Sequence, residues 1–241
     1  MLINILKQSL NIRNKIGGTN PWFNIFHFQF LTTYHHNKWL KKYSKDLNGL
    51  VLDYGCGLSP YKCLFKDNSY VAADIYKNSN EVLLIKNGYE LELGDNSIDS
   101  IISTQVLEHV EDINLVLSEF KRVLKPGGKA IITMPFMFYA HGQPYDFRRY
   151  TTQGLVNKLK EHDFKTIKKN EFGNVFTTST IFTLASLEIQ NRRSIQVLKI
   201  LLIPIYFILC PLLNMLALAL GPIDKSSSCY SSFGLIIKNE K

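Results

Sequence analysis

No aspartate or glutamate occurs before Asp46, whereas seven lysines and arginines do, from Lys7 to Lys45. Almost the whole formal charge of +8 therefore sits in an N-terminal arm. Such an arm suits nucleic acid, an anionic membrane surface or plain solvent. Its Trp22, Phe23, Ile25, Phe26, Phe28 and Phe30 favour a membrane surface or core packing over phosphate tracking. Nor is there a Cys-x-x-Cys pair: Cys56, Cys63, Cys210 and Cys229 are scattered without paired histidines. That argues against a cysteine-built zinc site or a disulfide framework, and no metal is expected. The first ten residues interrupt their apolar run with Asn4 and Lys7 and offer no small-residue cleavage site, so a secretory signal is not expected and the protein should begin in the cytoplasm. Internal repeats and low-complexity tracts are also missing.

What is present is the composition of a folded protein, 46% hydrophobic and 20% charged over 241 residues. That length suits one large α/β domain with decoration rather than two equal domains. Short apolar runs at Leu50–Tyr54, Tyr70–Ile75, Ile98–Ser103 and Lys129–Met134 read as strands with helical material between them. The clearest helix places Ile113, Val116, Leu117, Phe120, Val123 and Leu124 on one side and Glu119, Lys121 and Arg122 on the other, and Pro126-Gly127-Gly128 is expected to stop it. A helix over Thr152–Glu161, a strand over Phe164–Lys169, helical or apolar chain over 174–222 and a last strand over Phe233–Lys238 complete the reading. Near-continuous apolar strands alternating with amphipathic helices imply a parallel sheet covered on both faces.

The first run ends in D-Y-G-C-G, Asp53 to Gly57. A strand leading into glycines lets a ligand lie against bare backbone at the carboxyl edge of such a sheet. Pro60 stands where a dinucleotide loop needs its third glycine, so the close helix approach of a pyrophosphate site is unavailable. An acid just before the glycines suits a ligand carrying an ammonium or sulfonium group. The second run ends in Asp74, a carboxylate placed to accept both hydroxyls of a ribose.

Together V-L-D-Y-G-C-G, V-A-A-D-I, D-N-S-I-D-S-I-I-S-T-Q-V-L-E-H-V and F-K-R-V-L-K-P-G-G-K-A-I-I-T-M-P-F resemble a class I S-adenosylmethionine-dependent methyltransferase over about residues 48–172. The resemblance implies a doubly wound α/β fold, with a mostly parallel seven-stranded sheet, an antiparallel last strand and a hydrophobic helical insertion before it. It implies S-adenosyl-L-methionine as cofactor, with Asp53, Gly55 and Gly57 along its methionine and ribose, Asp74 on the ribose hydroxyls, Asn87 at the adenine edge, and Gln105 and Val106 nearby. Leu91-Glu92-Leu93 replaces the family's usual L-P-F. Glu108-His109 reads either as a pair fixing a helix start or as a pair beside the active site. The expected organisation is an arm over 1–47, a methyltransferase core over 48–173, a helical insertion over 174–228 and a final strand over 229–241.

The stretch M-P-F-M-F-Y-A-H-G-Q-P-Y-D-F-R-R-Y-T, residues 134–151, leaves the carboxyl edge of the sheet and carries catalytic side-chain types. Its H-x-x-P-Y-D-x-x-R-Y-T pattern resembles a bacterial methyltransferase subgroup met in cell-envelope and surface-polysaccharide biosynthesis. His141 is the first choice of general base and Asp146 the second, with Arg148 and Arg149 orienting an anionic group of the acceptor. The alternative is that Asp146 and an arginine form an ion pair that shapes the loop while His141 caps it. The expected reaction is O-methylation of a small-molecule or glycan- or lipid-linked acceptor, against methylation of a membrane quinone or lipid, or a noncatalytic cofactor-binding scaffold. No N-P-P-Y-like tetrapeptide is present to hold a flipped base, so nucleic acid is not the expected acceptor.

Ile200 to Leu220 carries no charge and only Asn214 as a strongly polar side chain, long enough for a helix to cross a bilayer core of about 30 Å. Pro204 and Pro211 are expected to break or bend it. A chain that must return to supply the last strand favours a monotopic or re-entrant contact at the cytoplasmic face of the membrane over a single crossing. Arg192, Arg193, Lys199 and Lys225 would then lie near anionic headgroups; burial in the core is the other alternative.

Overall fold

The structure, a computed structural model, describes residues 24–65, 69–77, 79–193, 196–224, 226 and 228–240, with side chains outside 189–204. Seven strands form one sheet: β1 (Leu50–Tyr54), β2 (Ser69–Asp74), β3 (Val82–Leu84), β4 (Ile98–Thr104), β5 (Leu124–Pro135), β6 (Phe164–Phe172) and β7 (Ser232–Asn239). The α-helices among the described residues are α1 (Phe30–Tyr43), α2 (Ile113–Val123), α3 (Thr152–Glu161), α4 (Val175–Arg193) and α5 (Gln196–Leu220). The strand order is β3-β2-β1-β4-β5-β7-β6. Pairing is parallel from β3 through β5, and β7 runs antiparallel to β5 from Lys129↔Lys238 to Pro135↔Ser232. The doubly wound sheet and its late antiparallel strand are thus as expected from the sequence. The order reverses between β1 and β4, so a crevice opens where the chain leaves these strands in opposite directions.

Local chemistry explains the elements that place the site. Asp112 caps α2 by accepting the Asn114 N–H at 2.8 Å, and Ile113, Val116, Leu117, Phe120 and Val123 bury its apolar face. Glu119 does not point outward with Lys121 as expected. It is buried, accepts the Leu91 N–H at 2.8 Å and pairs with Arg122, whose guanidinium also bonds the Leu93 and Leu91 carbonyls. This bracket holds the loop where L-P-F is missing. α2 ends at Val123, ahead of Pro126, and Leu124 is already extended. Lys125 precedes a proline and is therefore biased away from helix. β3 was not expected; three residues are too short to show a strand pattern.

The chain divides into two compact units. One, Trp39–Phe136, Ala140–Glu171 and Ser232–Lys241, holds the sheet up to Glu171 together with α2 and α3. The other takes in the described parts of Met1–Lys38, Met137–Tyr139 and Phe172–Ser231. In this second unit α5 runs unbroken through both Pro204 and Pro211, contrary to the expected break. Each proline forfeits a backbone bond, but the stripe Tyr206, Cys210, Asn214 and Ala217 is buried at helical spacing against Leu184, Ile181 and Phe28, and that packing keeps the helix whole. Asn214 is fully buried and donates to the Ile25 carbonyl at 2.7 Å. The side chains of Arg192, Arg193 and Lys199, residue Lys225, and the arm as far as Phe23 lie outside the described residues.

Candidate active site

At the end of β1 the backbone turns through Gly55 (φ +74°) and Gly57 (φ +54°). A Cβ on Gly55 would stand 2.5 Å from Val106 Cγ2, so the sheet edge closes there only over a glycine. At Gly57 a Cβ would meet nothing within 4 Å; that open cradle is space for a ligand. The Gly57 N–H donates to Asp74 Oδ2 at 2.8 Å, and Oδ1 of the same carboxylate accepts the Tyr76 N–H at 3.0 Å. The strand end of β2 is thereby locked to the glycine turn, and each oxygen keeps a further lone pair for a ligand hydroxyl. Gln105 closes the crevice from β4 in left-handed backbone (φ +56°), held by its N–H to the Thr133 carbonyl at 3.0 Å and its amide to Thr133 Oγ1 at 3.2 Å. Such a conformation in a non-glycine residue marks a position fixed by its surroundings.

A cavity of about 350 Å³ opens here, and Gly57 is not among the residues that line it. Gly55, Asp74, Gln105 and Val106, all expected from the sequence, line it. Asp53 does not: it is 1% exposed, bonds the Tyr70 hydroxyl and has its carboxyl pushed up to about 6 by burial. Asn87 turns away to Glu90 at 3.1 Å, and Gly88 lines the cavity in its place. The lining residues missed by sequence reasoning include Ile75, Ile85 and Phe147, whereas Tyr145, which also lines the cavity, belongs to the catalytic side-chain types expected of the stretch 134–151. Ile75, directly after the ribose acid and 52% exposed, had a readable signal in its position; Phe147 had none.

That loop is clamped onto the short helical turn Leu107–His109. The Phe147 N–H donates to the Glu108 carbonyl at 2.9 Å, His109 Nδ1 lies 2.7 Å from the Tyr145 carbonyl, and Arg148 donates to the Glu111 carbonyl at 2.6 Å. His141, Asp146 and Arg149 do come together. Asp146 receives both guanidinium nitrogens of Arg149 and the His141 N–H at 2.9 Å. Arg149 holds its carboxyl down at about 2, which leaves it a feeble base and matches the loop-shaping alternative. None of the three lines the cavity; His109 does. Its ring meets that of His141 edge-on, centroids 4.8 Å apart. Under both imidazoles lies Glu108, 0% exposed, its carboxyl pushed up to about 8 by burial.

The cradle, the paired-up ribose acid and the cavity beside them fit an adenosyl cofactor. Residues 52–132 match the family described as "Methyltransferase domain". An uncharacterized protein of Methanocaldococcus jannaschii, MJ0638, is 35% identical over 101 residues, 39% of this chain and 44% of that protein. A malonyl-[acyl-carrier protein] O-methyltransferase of Buchnera aphidicola is 29% identical over 140 residues, 53% of this chain and 54% of that protein. The chain thus spans about half the length of these curated relatives. Among solved structures, an S-adenosylmethionine dependent methyltransferase from Mesorhizobium loti superposes with a TM-score of 0.53 at 14% identity, covering 87% of this chain and all of that one. Over residues 52–132 the chain is thus similar to methyltransferase domains, and its sheet has the fold of the solved methyltransferases; that likeness supports S-adenosylmethionine as the cofactor.

Proposed function

We propose that the protein transfers a methyl group to an oxygen of a small-molecule or glycan- or lipid-linked acceptor in cell-envelope biosynthesis, at the cytoplasmic face of a membrane. The observation that carries the reaction is the cavity itself, with the cofactor residues Gly55 and Asp74 on one wall and His109, Tyr145 and Phe147 of the clamped loop on another. Asp74 accepts the ribose hydroxyls, Gly57 offers the cradle, and Gln105 and Val106 close the crevice. Asn87 acts only through the turn that presents Gly88, and Asp53 acts through Tyr70, by holding the strand end.

The cofactor supplies a methyl group on a sulfonium, to be displaced in line. Most of the residues' work is then positioning, since holding a nucleophile near about 3 to 3.5 Å is worth several kcal/mol. Tyr145 and Phe147 hold the acceptor and exclude water. Its hydroxyl is activated at the imidazole pair His109 and His141, with Asp146 and Arg149 setting the orientation of His141.

Membrane contact is supported by α5. Ile205, Ile208, Leu212, Met215 and Leu216 are all exposed, and Ile205–Ile223 has a mean hydropathy of 1.9 with only 17% of the window buried. That exposure disfavours the core-helix alternative, and the return of the chain into β7 disfavours a single crossing. It also keeps a lipid or quinone acceptor in view. Incubation with methyl-labelled cofactor and membrane, glycan and quinone extracts, followed by location of the label, tests the reading. Label in a glycan or lipid-linked hydroxyl supports it; tight cofactor binding with no transfer to any extract makes the protein a scaffold instead.

A further inference from the structure

We propose that Glu108, His109 and His141 form a binding site for a divalent transition-metal ion. Ligand atoms of the three side chains all lie within 4.8 Å of one another. Oε1 of Glu108 is 3.8 Å from Nε2 of His109 and 3.8 Å from Nε2 of His141. These gaps are too long for hydrogen bonds and close with small side-chain rotations onto a shared ion. Both carboxylate oxygens of Glu108 are buried without a hydrogen-bond partner among the described residues, and a buried, unpartnered carboxylate is costly unless something cationic or a proton meets it.

The opposite nitrogen of His109 favours an ion over a proton. His109 Nδ1 lies 2.7 Å from the Tyr145 carbonyl, which can only accept, so this nitrogen carries the proton and Nε2 presents a lone pair toward Glu108. His141 Nδ1 faces Arg149 Nη2, which can only donate, at 3.4 Å and Asp146 Oδ2 at 3.6 Å, so its Nε2, on the Glu108 side, must give up a proton when an ion binds. An imidazole whose far N–H is directed to a backbone carbonyl or a carboxylate is the usual arrangement behind a metal-binding histidine. His109 has that arrangement, and with His141 and one carboxylate, the remaining positions open, the set suits Fe²⁺, Mn²⁺, Co²⁺ or Zn²⁺. The side chains of His109 and His141 are 29% and 28% exposed, so the open positions face the solvent side, and His109 also borders the cavity.

The site's role rests on the methyl-transfer reading: an ion here would ligate the acceptor oxygen and lower its pKa, replacing the imidazoles as the activating group. Its existence does not rest on that reading. Chelator-treated protein should take up one equivalent of Co²⁺ with visible d–d absorption, displaced by Zn²⁺. Glu108→Gln and His141→Gln should abolish the spectrum, and Asp146→Asn should weaken Co²⁺ binding about 10- to 100-fold. Circular dichroism and S-adenosylmethionine binding are followed in parallel. Should Glu108→Gln misfold, His141→Gln, altered at a part-exposed side chain, decides. Wild-type protein without one-equivalent Co²⁺ uptake, or folded His141→Gln that binds Co²⁺ as wild type does, overturns the site. Co²⁺ uptake in a protein that ignores S-adenosylmethionine would overturn the methyl-transfer reading and leave the site standing.

Discussion

α2 and α5 are amphipathic in opposite senses. α2 buries Ile113, Val116, Phe120 and Val123 and turns Asn114 and Ser118 outward, as a helix does when water lies on its far side. Over Ile205–Leu220 α5 buries the one strongly polar residue, Asn214, beside Cys210 and Tyr206, and presents Ile208 at 71% exposure with Leu212, Met215 and Leu216 around it. A contiguous outward apolar face of this kind marks an interaction surface rather than a water-facing one. One helix serves a core, and on the proposed reading the other serves a core on one side and a membrane on the other.

The sharpest way to break that contrast is to mutate the two apolar faces. Phe120→Ala, at a fully buried position packed edge-on against Tyr54 at 4.9 Å, should cost about 3–5 kcal/mol in denaturant unfolding. Ile208→Asp with Leu212→Asp should leave the unfolding midpoint in solution unchanged, yet weaken sedimentation with anionic vesicles by about a hundredfold, the worth of roughly 3 kcal/mol of apolar contact. A large drop in stability with no change in vesicle binding would make α5 an ordinary core helix.

Polar groups inside the two regions sharpen the comparison further. Asp74→Ala should weaken S-adenosylmethionine binding in calorimetry by roughly 1.5–3 kcal/mol, the range for hydrogen bonds to a charged group. Asp146→Asn should destabilise the fold at neutral pH by roughly 2 kcal/mol. The native carboxyl, held at about 2 instead of 3.8, contributes stability above the ordinary value that is lost as pH falls toward 2, so the gap between variant and wild type should close over that interval. Asp53 has the opposite sign. Its carboxyl at about 6 binds a proton more tightly when folded, so its contribution falls as pH rises from 4 to 6, and Asp53→Asn should flatten that slope in thermal melts. The smallest effect belongs to Asn214→Leu, about 1 kcal/mol in unfolding, because the lost bond to Ile25 is partly offset by added apolar burial.

How far the sequence could be read follows from how local each signal was. β1, β2, β4 and β5 are apolar runs, so Gly55 and Asp74 could be read from the strand ends they follow, whereas Gln105 came only with the family resemblance. Glu119 looked outward by periodicity and turned inward because Leu91, 28 residues away, offers an amide. The prolines of α5 looked like breaks because the buried stripe opposing them depends on α4. His109 and Tyr145 are separated by 36 residues, and nothing in the spacing of either segment records that the loop folds back onto that ring. Asp146 does meet His141 and Arg149, but its strength as a base depended on a bidentate contact that only three dimensions supply.

β7 sits between β5 and β6 but is synthesised after α4 and α5. While a ribosome is still making the helical pair, the edge of β5 therefore lacks its partner, and the row of backbone groups from Lys129 to Pro135 is open to any strand that reaches it. The apolar helices emerge before the sheet can close, so on the proposed membrane reading the anchor would be delivered first and the catalytic domain completed beside it.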